Sequence, residues 1–422
     1  MELESFVSCQ RKATRKRRHG SYPLLNLQRF LFFFLISCIS VRILNEESKI
    51  TLTIQGPGEQ RLINQGFPFS ISKVLVGGNE MESCSDTCIF ENEQTDVDIV
   101  FSTDITSCKQ MFLDMTNIIS VNLASFDTSK TTEMNFMFKG CSNLISINFG
   151  SIDTQLVTSM ESLCENCAQL KSIDLSTLDI SKVKKIDSIF SGCKELASIN
   201  FPTTKTAYLE GMAGAFYHCE KLISVDLSPF NTDKVTDMKS LFDNCYLLQT
   251  INFGNINTAS VVTMFGMFSE CRSLASIDLT KFDTSKVKYM QYMFSGCSSL
   301  TELSAGNLNV SSVKDMYLTF NGCKGLTTLD LTSWNLAKLE GMHSTFKDCI
   351  NLREIKFGVN PTPCLKEALS TFEGCSVLPS VDLSHFDFSN VINMNSMFNG
   401  CKELSDVKLG TSSTPALCFR IV

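Results

Sequence analysis

Eleven cysteines recur at a fixed 26-residue interval: Cys141, Cys167, Cys193, Cys219, Cys245, Cys271, Cys297, Cys323, Cys349, Cys375 and Cys401, with no insertion or deletion between them. Thiols so placed could form disulfides, bind a metal or act as nucleophiles. Equivalent residues of stacked repeats lie ~4.8 Å apart, within the Cα range of a bridge. Side chains sharing one rotamer, however, hold their sulfurs at that same spacing, far beyond the ~2.05 Å of an S–S bond. Eleven is also odd, so complete pairing within the set is excluded. Nucleophilic or metal-binding thiols need a polar, accessible setting, whereas these fall in register with Leu, Met and Phe. The pattern predicts a structural ladder of buried thiols, with cysteine acting as a small hydrophobe.

The other reactive side chains are few. Cys164 takes a slot where other repeats carry Phe, producing "CENC" (Cys164–Cys167). A C-x-x-C can be a redox pair or half of a zinc site, but no second pair or His lies at metal spacing. Core variation is the simpler reading, and no metal ligand set is assigned. Cys84, Cys88 and Cys108 precede the repeats and are the candidate disulfide partners of a secreted chain. Cys364 and Cys418 fall in the two least regular repeats, where an exposed thiol is expected. The four histidines (His19, His218, His343, His385) accompany no H-E-x-x-H, G-x-S-x-G or phosphate-binding glycine loop. His218 sits one residue off the inward register and is expected to face solvent. No catalytic residue and no cofactor are assigned. The paired methionines, such as Met290 and Met293, fall on the inward face and read as core.

The elements that position these residues follow from offsets counted from each ladder cysteine. Leu stands at +3, Ile, Val or Leu at +6, Leu or Phe at +8, an apolar residue at +11, and Val or Leu at +16. Met is usual at +19 and Phe at +23. The frame extends back one unit to Met115. Alternation in "SIDL" predicts a short strand with Ile and Leu inward and Asp outward. The apolar spacing 16, 19, 22, 23 and 26 predicts about two turns of helix, with "FDTS" supplying turn and N-cap residues before it. Each unit fixes 26 residues at ~1–2 kcal/mol of backbone entropy apiece. Its eight or nine inward side chains each return only ~1.5–3 kcal/mol, so units must share cores. The expectation is an α/β repeat fold: a leucine-rich-repeat solenoid of about 11–12 coils, with a parallel sheet on one face and short helices on the other.

The unit "C-x-x-L-x-S-I-D-L-S-x-F-D-T-S-K-V-x-x-M-x-x-M-F-x-G" resembles the BspA-like leucine-rich repeat surface proteins over about residues 112–410. The block from "ITLTIQGPGEQ" to "ITSCKQMF" also looks like the leader domain of some protist members. The resemblance implies a solenoid displayed on or released from the cell surface, with adhesion or ligand binding as its role and a protein or glycan as partner.

Four regions result. Residues 1–42 hold "RKATRKRRHG" and then the short apolar run of residues 30–41, and carry eight Lys/Arg against two Asp/Glu. This is the form of a secretory signal peptide. A signal anchor through residues 30–41, or a lipobox at "LISC" ending in Cys38, are the alternatives and would tether the chain to a membrane. Residues 46–110 alternate in several short runs and form a small N-terminal β cap. Residues 111–410 are the solenoid and 411–422 a C-terminal tail. Without the first 42 residues the formal charge of −7 becomes −13, and an acidic body argues against a nucleic-acid surface.

The outward strand position, at +7, carries Asp174, Asp226, Asn252, Asp278, Asp330 and Asp382 among its residues. This polar stripe is a candidate ligand-binding face, set against the plainer reading of a solvated sheet. Two repeats break the pattern at "FPTTKTAYLEGM" and "FGVNPTPCLKEAL", and Tyr208, Pro361 and Pro363 there are candidate partner contacts. Asn309, in "NVS", is the only N-glycosylation sequon. The sequence reading is a non-enzymatic secreted or surface binding protein; its rival is an intracellular scaffold of the same fold.

Overall fold

The computed structural model describes residues 47–304 and 308–410. The expected signal or anchor, Cys38, the C-terminal tail and Cys418 lie outside the described residues.

Strands β1 (Ser48–Gln55), β2 (Gly58–Arg61), β3 (Lys73–Val76), β4 (Asn79–Glu80), β5 (Thr87–Phe90) and β6 (Gln94–Phe101) make up the N-terminal block. One strand then follows per coil: β7 (Ile118–Asn122), β8 (Ser146–Asn148), β9 (Ser172–Asp174), β10 (Ser198–Asn200), β11 (Ser224–Asp226) and β12 (Thr250–Asn252). The series continues with β13 (Ser276–Asp278), β14 (Glu302–Ser304), β15 (Thr328–Leu331), β16 (Glu354–Phe357), β17 (Ser380–Leu383) and β18 (Asp406–Leu409). The N-terminal block is continuous with the solenoid. β1 pairs antiparallel with β6 on one side and with β7 on the other, in a sheet ordered β4-β3-β6-β1-β7-β8. The first coil's strand therefore has no free edge.

Solenoid strands pair in parallel, each residue opposite its equivalent in the next coil, as in Ile173 opposite Ile199 and Val225 opposite Ile251. Pairing comes in twos: β7 with β8, β9 with β10, β11 with β12, β13 with β14, β15 with β16 and β17 with β18. The structural repeat is thus a doublet of two coils. Its first strand ends in Asn122, Asp174, Asp226, Asp278, Asp330 or Asp382 followed by Leu. Its second has Asn or Lys followed by Phe and Gly in three of the six doublets, as in Asn148-Phe149-Gly150 and Asn252-Phe253-Gly254. Gly150 and Gly254 have φ of 59° and 58°, and a Cβ on either would lie 2.6 Å from the Cα of Ala124 or Ser228 in the preceding coil. At these two positions only glycine avoids that clash.

The expected helices are absent among the described residues, and this corrects the sequence reading of the second half-coil. The apolar residues at +16, +19, +22, +23 and +26 do face inward, but the backbone takes another path. Two residues per coil are left-handed, at +21 and +25, as in Ser188 (φ 52°) and Gly192 (φ 75°). Amides then alternate: some bond three residues back, as Cys141 N to Phe138 O (3.1 Å) and Met137 N to Met134 O (3.3 Å). Others bond the next coil, as Phe138 N to Leu163 O (2.9 Å) and Gly140 N to Glu165 O (2.7 Å). A helix would consume all these amides internally. The ribbon instead adds a second inter-coil ladder, joined by single parallel bridges such as Glu133 to Ser159. At +25 the sequence supplies Gly, Asn, Asp or His in most coils, the residue types that tolerate this conformation.

The shared core is a set of ladders. Phe rings at +23 stack from coil to coil, for example Phe216 on Phe242 (5.2 Å, 6°) and Phe268 on Phe294 (5.6 Å, 10°). The Thr of "FDTS" is also buried, and its counterpart Thr154 shows why: its Oγ1 donates to Asp179 O (3.0 Å) and accepts from Asp179 N (2.7 Å). A side chain there substitutes for strand pairing that the turn cannot provide.

Candidate functional site

All eleven ladder cysteines are buried and free, and each makes the same contact. The thiol donates to a carbonyl in the preceding coil: Cys297 Sγ to Phe268 O at 3.0 Å, Cys271 to Phe242 O at 3.2 Å, and Cys193 to Cys164 O at 3.0 Å. Burial raises every ladder thiol above its ordinary pKa, Cys349 to about 12 and Cys401 to about 11. Such thiols are neither nucleophiles nor metal ligands at neutral pH. They are donors holding one coil to the last, a role beyond the filling of space.

Cys164 and Cys167 are both buried, and no metal-holding group of His, Cys, Asp or Glu occurs among the described residues. Cys164 interrupts the aromatic stack between Phe138 and Phe190. In the N-terminal block Cys84 and Cys88 are joined, while Cys108 is a buried free thiol 3.9 Å from Thr131 Oγ1. Cys364 is the one exposed free cysteine among the described residues. His218 is half-buried, its Nδ1 3.8 Å from Glu220.

The outward Asp stripe is tied into the coil connections. Asp174 Oδ1 accepts Ser176 N (2.9 Å) and Asn200 Nδ2 (2.9 Å), and Asp226 Oδ1 accepts Ser228 N and Asn252 Nδ2 (2.9 Å each). Asp278 and Asp330 accept from the N–H of Thr280 and Thr332 at 2.9 Å, and Asp382 from Ser384 N (3.0 Å) with Lys408 Nζ at 3.5 Å. The hydroxyl and then the N–H two residues on hold the carboxyls of Asp174, Asp278, Asp330 and Asp382 below the usual range. These are Asx turns that end each strand.

The irregular coils keep the frame. Thr206 and Thr362 are buried where "FDTS" places its Thr, leaving Tyr208 about half exposed with Lys234 Nζ 5.5 Å above its ring, and Pro361 and Pro363 exposed. Asn309 is exposed, its Oδ1 accepting Ser311 N at 3.0 Å.

The ribbon carries a feature that the helical reading hid. At +20 and +21 the coils ending in Cys271, Cys297, Cys323 and Cys349 present Phe265, Tyr292, Tyr317 and His343, all half-buried. Successive centroids are 5.3, 5.1 and 5.0 Å apart, and Lys239 Nζ sits 5.6 Å over Phe265. Burial and the neighbouring Tyr317 push the Tyr292 phenol up to about 12. Beside the rings lies a groove of about 570 Å³, lined by Lys314, Tyr317, Glu340, His343, Lys366 and Ile392 among others. Glu340 bridges Lys314 (2.8 Å) and Lys366 (3.0 Å), and Ile392 is 73% exposed. The sequence signal was there: at +20 the first four coils carry Asn135, Glu161, Asp187 and Ala213, whereas Phe265, Tyr317 and His343 take that position here, with Tyr292 one residue on, at the +21 slot that Phe136 fills in the first coil.

A ladder of 26-residue coils, hydrogen-bonded along two lines and closed at one end by an antiparallel strand, defines a repeat solenoid. The chain belongs to the family described as "Mycoplasma protein of unknown function, DUF285", which matches residues 106–207, 210–329, 300–356 and 315–412. No curated protein matches it by sequence. Similar solved structures include a leucine-rich repeat protein of Leptospira interrogans (11% identity, 71% of this chain and 79% of that one, TM-score 0.27). A leucine-rich repeat protein from Eubacterium ventriosum aligns at 14% identity over 62% of this chain and 86% of that one, with a TM-score of 0.26. The TLR13–ssRNA13 complex aligns at 14% identity over 70% of this chain but only 47% of the receptor chain, with a TM-score of 0.23. None of these likenesses carries a ligand over to this chain.

Proposed function

We propose that this protein is a non-enzymatic binding module of the leucine-rich-repeat type, secreted or held at the cell surface, that engages a partner in adhesion or ligand capture. The observation that carries the reading is the division of labour in the coil. The thiols and the "FDTS" threonines are committed to joining coils and the strand-ending Asp residues to capping turns, with Asp174, Asp226 and Asp382 also reaching the next coil, while one face of four neighbouring coils departs from the repeat with half-exposed rings. A fold whose reactive groups are buried donors offers partners a surface. The basic and apolar stretch within residues 1–42 supports export.

Mass spectrometry of the protein isolated from its own cells, combined with protease shaving of intact cells, tests this. Cleavage near Ser40 or retention at the surface with shaved solenoid peptides is expected; an intact Met1 on a protein protected inside the cell overturns it. The intracellular scaffold is the second reading. Fourteen free cysteines against a single disulfide among the described residues favour it, because reducing compartments keep thiols free.

A further inference from the structure

The strip formed by Phe265, Tyr292, Tyr317 and His343 is not needed to stack coils. The coils bearing Asn135, Glu161 and Asp187 at the same position make the same inter-coil bonds, for example Phe136 N to Glu161 O at 2.9 Å and Ser162 N to Asp187 O at 2.8 Å. Tyr292 further occupies the left-handed position (φ 60°) that most coils give to Ser or Gly. Phe136 and Leu318 hold the same conformation (φ 60° and 54°), so what sets the strip apart is its run of neighbouring rings.

We infer that this strip and the groove beside it bind a linear, uncharged glycan, laid across the coils against the aromatic side chains, which meet one another at interplanar angles of 49°, 85° and 62°. The inference rests on the binding-module reading and names its ligand class. Three observations select the occupant. The first is pitch. The rings follow one another at 5.0–5.3 Å, whereas an extended peptide presents side chains on one face only every ~6.7 Å. A peptide strand would fall out of step within two coils, while successive sugars of a linear chain advance by about one coil spacing. The second is charge. Glu340 neutralises Lys314 and Lys366 at the rim, and Asp315 and Glu367 complete a nearly balanced set. Such a rim attracts neither a basic nor an acidic segment, yet offers acceptors and donors to hydroxyls. The third is chemistry. The apolar C–H face of a pyranose meets the negative face of an aromatic ring, while its equatorial hydroxyls reach the polar rim.

Calorimetric titration of the full chain with cellohexaose, chitohexaose, mannohexaose and maltohexaose tests the site. At least one should bind. Tyr317→Ala should weaken it by about tenfold or more, while Tyr317→Phe, which keeps the ring, stays within about twofold of the parent. Tyr217→Ala, at an exposed tyrosine of an earlier coil, should change nothing. A melting curve of Tyr317→Ala matching the parent shows that the variant is folded. If none of the four sugars binds, or if a folded Tyr317→Ala binds as well as the parent, the glycan site is wrong. Peptides binding in place of sugars would also overturn it while leaving the binding-module reading intact. A protein protected inside the cell with an intact Met1 would instead overturn that reading, whatever the sugars do.

Discussion

Asn252 Nδ2 donates to Asp226 Oδ1 at 2.9 Å across two coils, and the same Asp226 oxygen caps its own turn through Ser228 N. Asn200 and Asp174 repeat the contact, as do Asn148 and Asn122 (3.0 Å). The strand-ending polar residues therefore serve alternate coils, and the chain is built in steps of two. A repeat that is one coil long in its cysteines is two coils long in its sheet.

Deleting one whole doublet, residues 220–271, should leave a solenoid of unchanged pairing pattern, because Asn200 is then followed by Asp278, the native order of coil types. Deleting the single coil 220–245 sets two second-type coils, those of Asn200 and Asn252, side by side. Thermal unfolding followed by circular dichroism should show a clearly lower Tm for the single deletion than for the longer one. Equal values would dissolve the doublet into a plain one-coil unit.

Gly254→Ala should destabilise by about 1–3 kcal/mol, from a left-handed backbone and an overpacked contact. The added Cβ would approach Ser228 Cα to 2.6 Å. The change Asn255→Ala, at the exposed next residue, serves as a control and should cost under about 0.5 kcal/mol. Chemical denaturation reads both.

Cys297 is a donor as well as a filler, so the two properties can be separated. Cys297→Ala removes the sulfur and its bond to Phe268 O, with an expected loss of about 1–3 kcal/mol. Cys297→Ser keeps a donor and should lose less. Thr319, Thr345 and Thr371 already use a hydroxyl in the same relation between coils, to the carbonyls of Met290, Met316 and Met342. If Ala and Ser cost the same, the hydrogen bond contributes nothing.

The thiols predict instability in base. Their folded pKa values are raised by burial, to about 12 for Cys108 and Cys349 and about 11 for Cys401, and upward for the rest of the ladder, Cys297 included. An unfolded thiol ionises near ~8.5. Below that pH both states hold the proton and stability is unaffected. Between it and the folded values the unfolded state alone loses protons, so stability falls as pH rises. Each thiol contributes up to about 1.4 kcal/mol per pH unit, and several acting together exceed the ~5–15 kcal/mol of a typical domain. Unfolding monitored by circular dichroism should set in steeply between about pH 9 and 11. The same thiols should resist alkylation in the native protein and react after denaturation without reductant. A protein as stable at pH 10.5 as at pH 7 would contradict the buried ladder.

Much of this protein was written in its sequence because a repeat multiplies weak signals. One coil's Leu at +3 or Phe at +23 says little, but the same residue at the same offset in coil after coil marks the inward face. The burial of Cys297 and the short parallel strands follow from that periodicity. The backbone between +16 and +26 did not follow. Side chains at 16, 19, 22, 23 and 26 suit a helix, yet they suit equally a ribbon whose inward residues share those positions. What separates the two is where the amides go. Phe138 N bonds Leu163 O, a partner in another coil that no local pattern can reveal. The doublet is of the same kind: Asp226 and Asn252 are legible as polar residues, but their shared hydrogen bond exists only once two coils are stacked. So with the aromatic strip, where Phe265, Tyr292, Tyr317 and His343 stand about a whole coil apart in sequence and about one ring apart in space. The sequence determined the period and the core; stacking alone decided which polar groups were consumed in holding the coils together and which rings were left facing out.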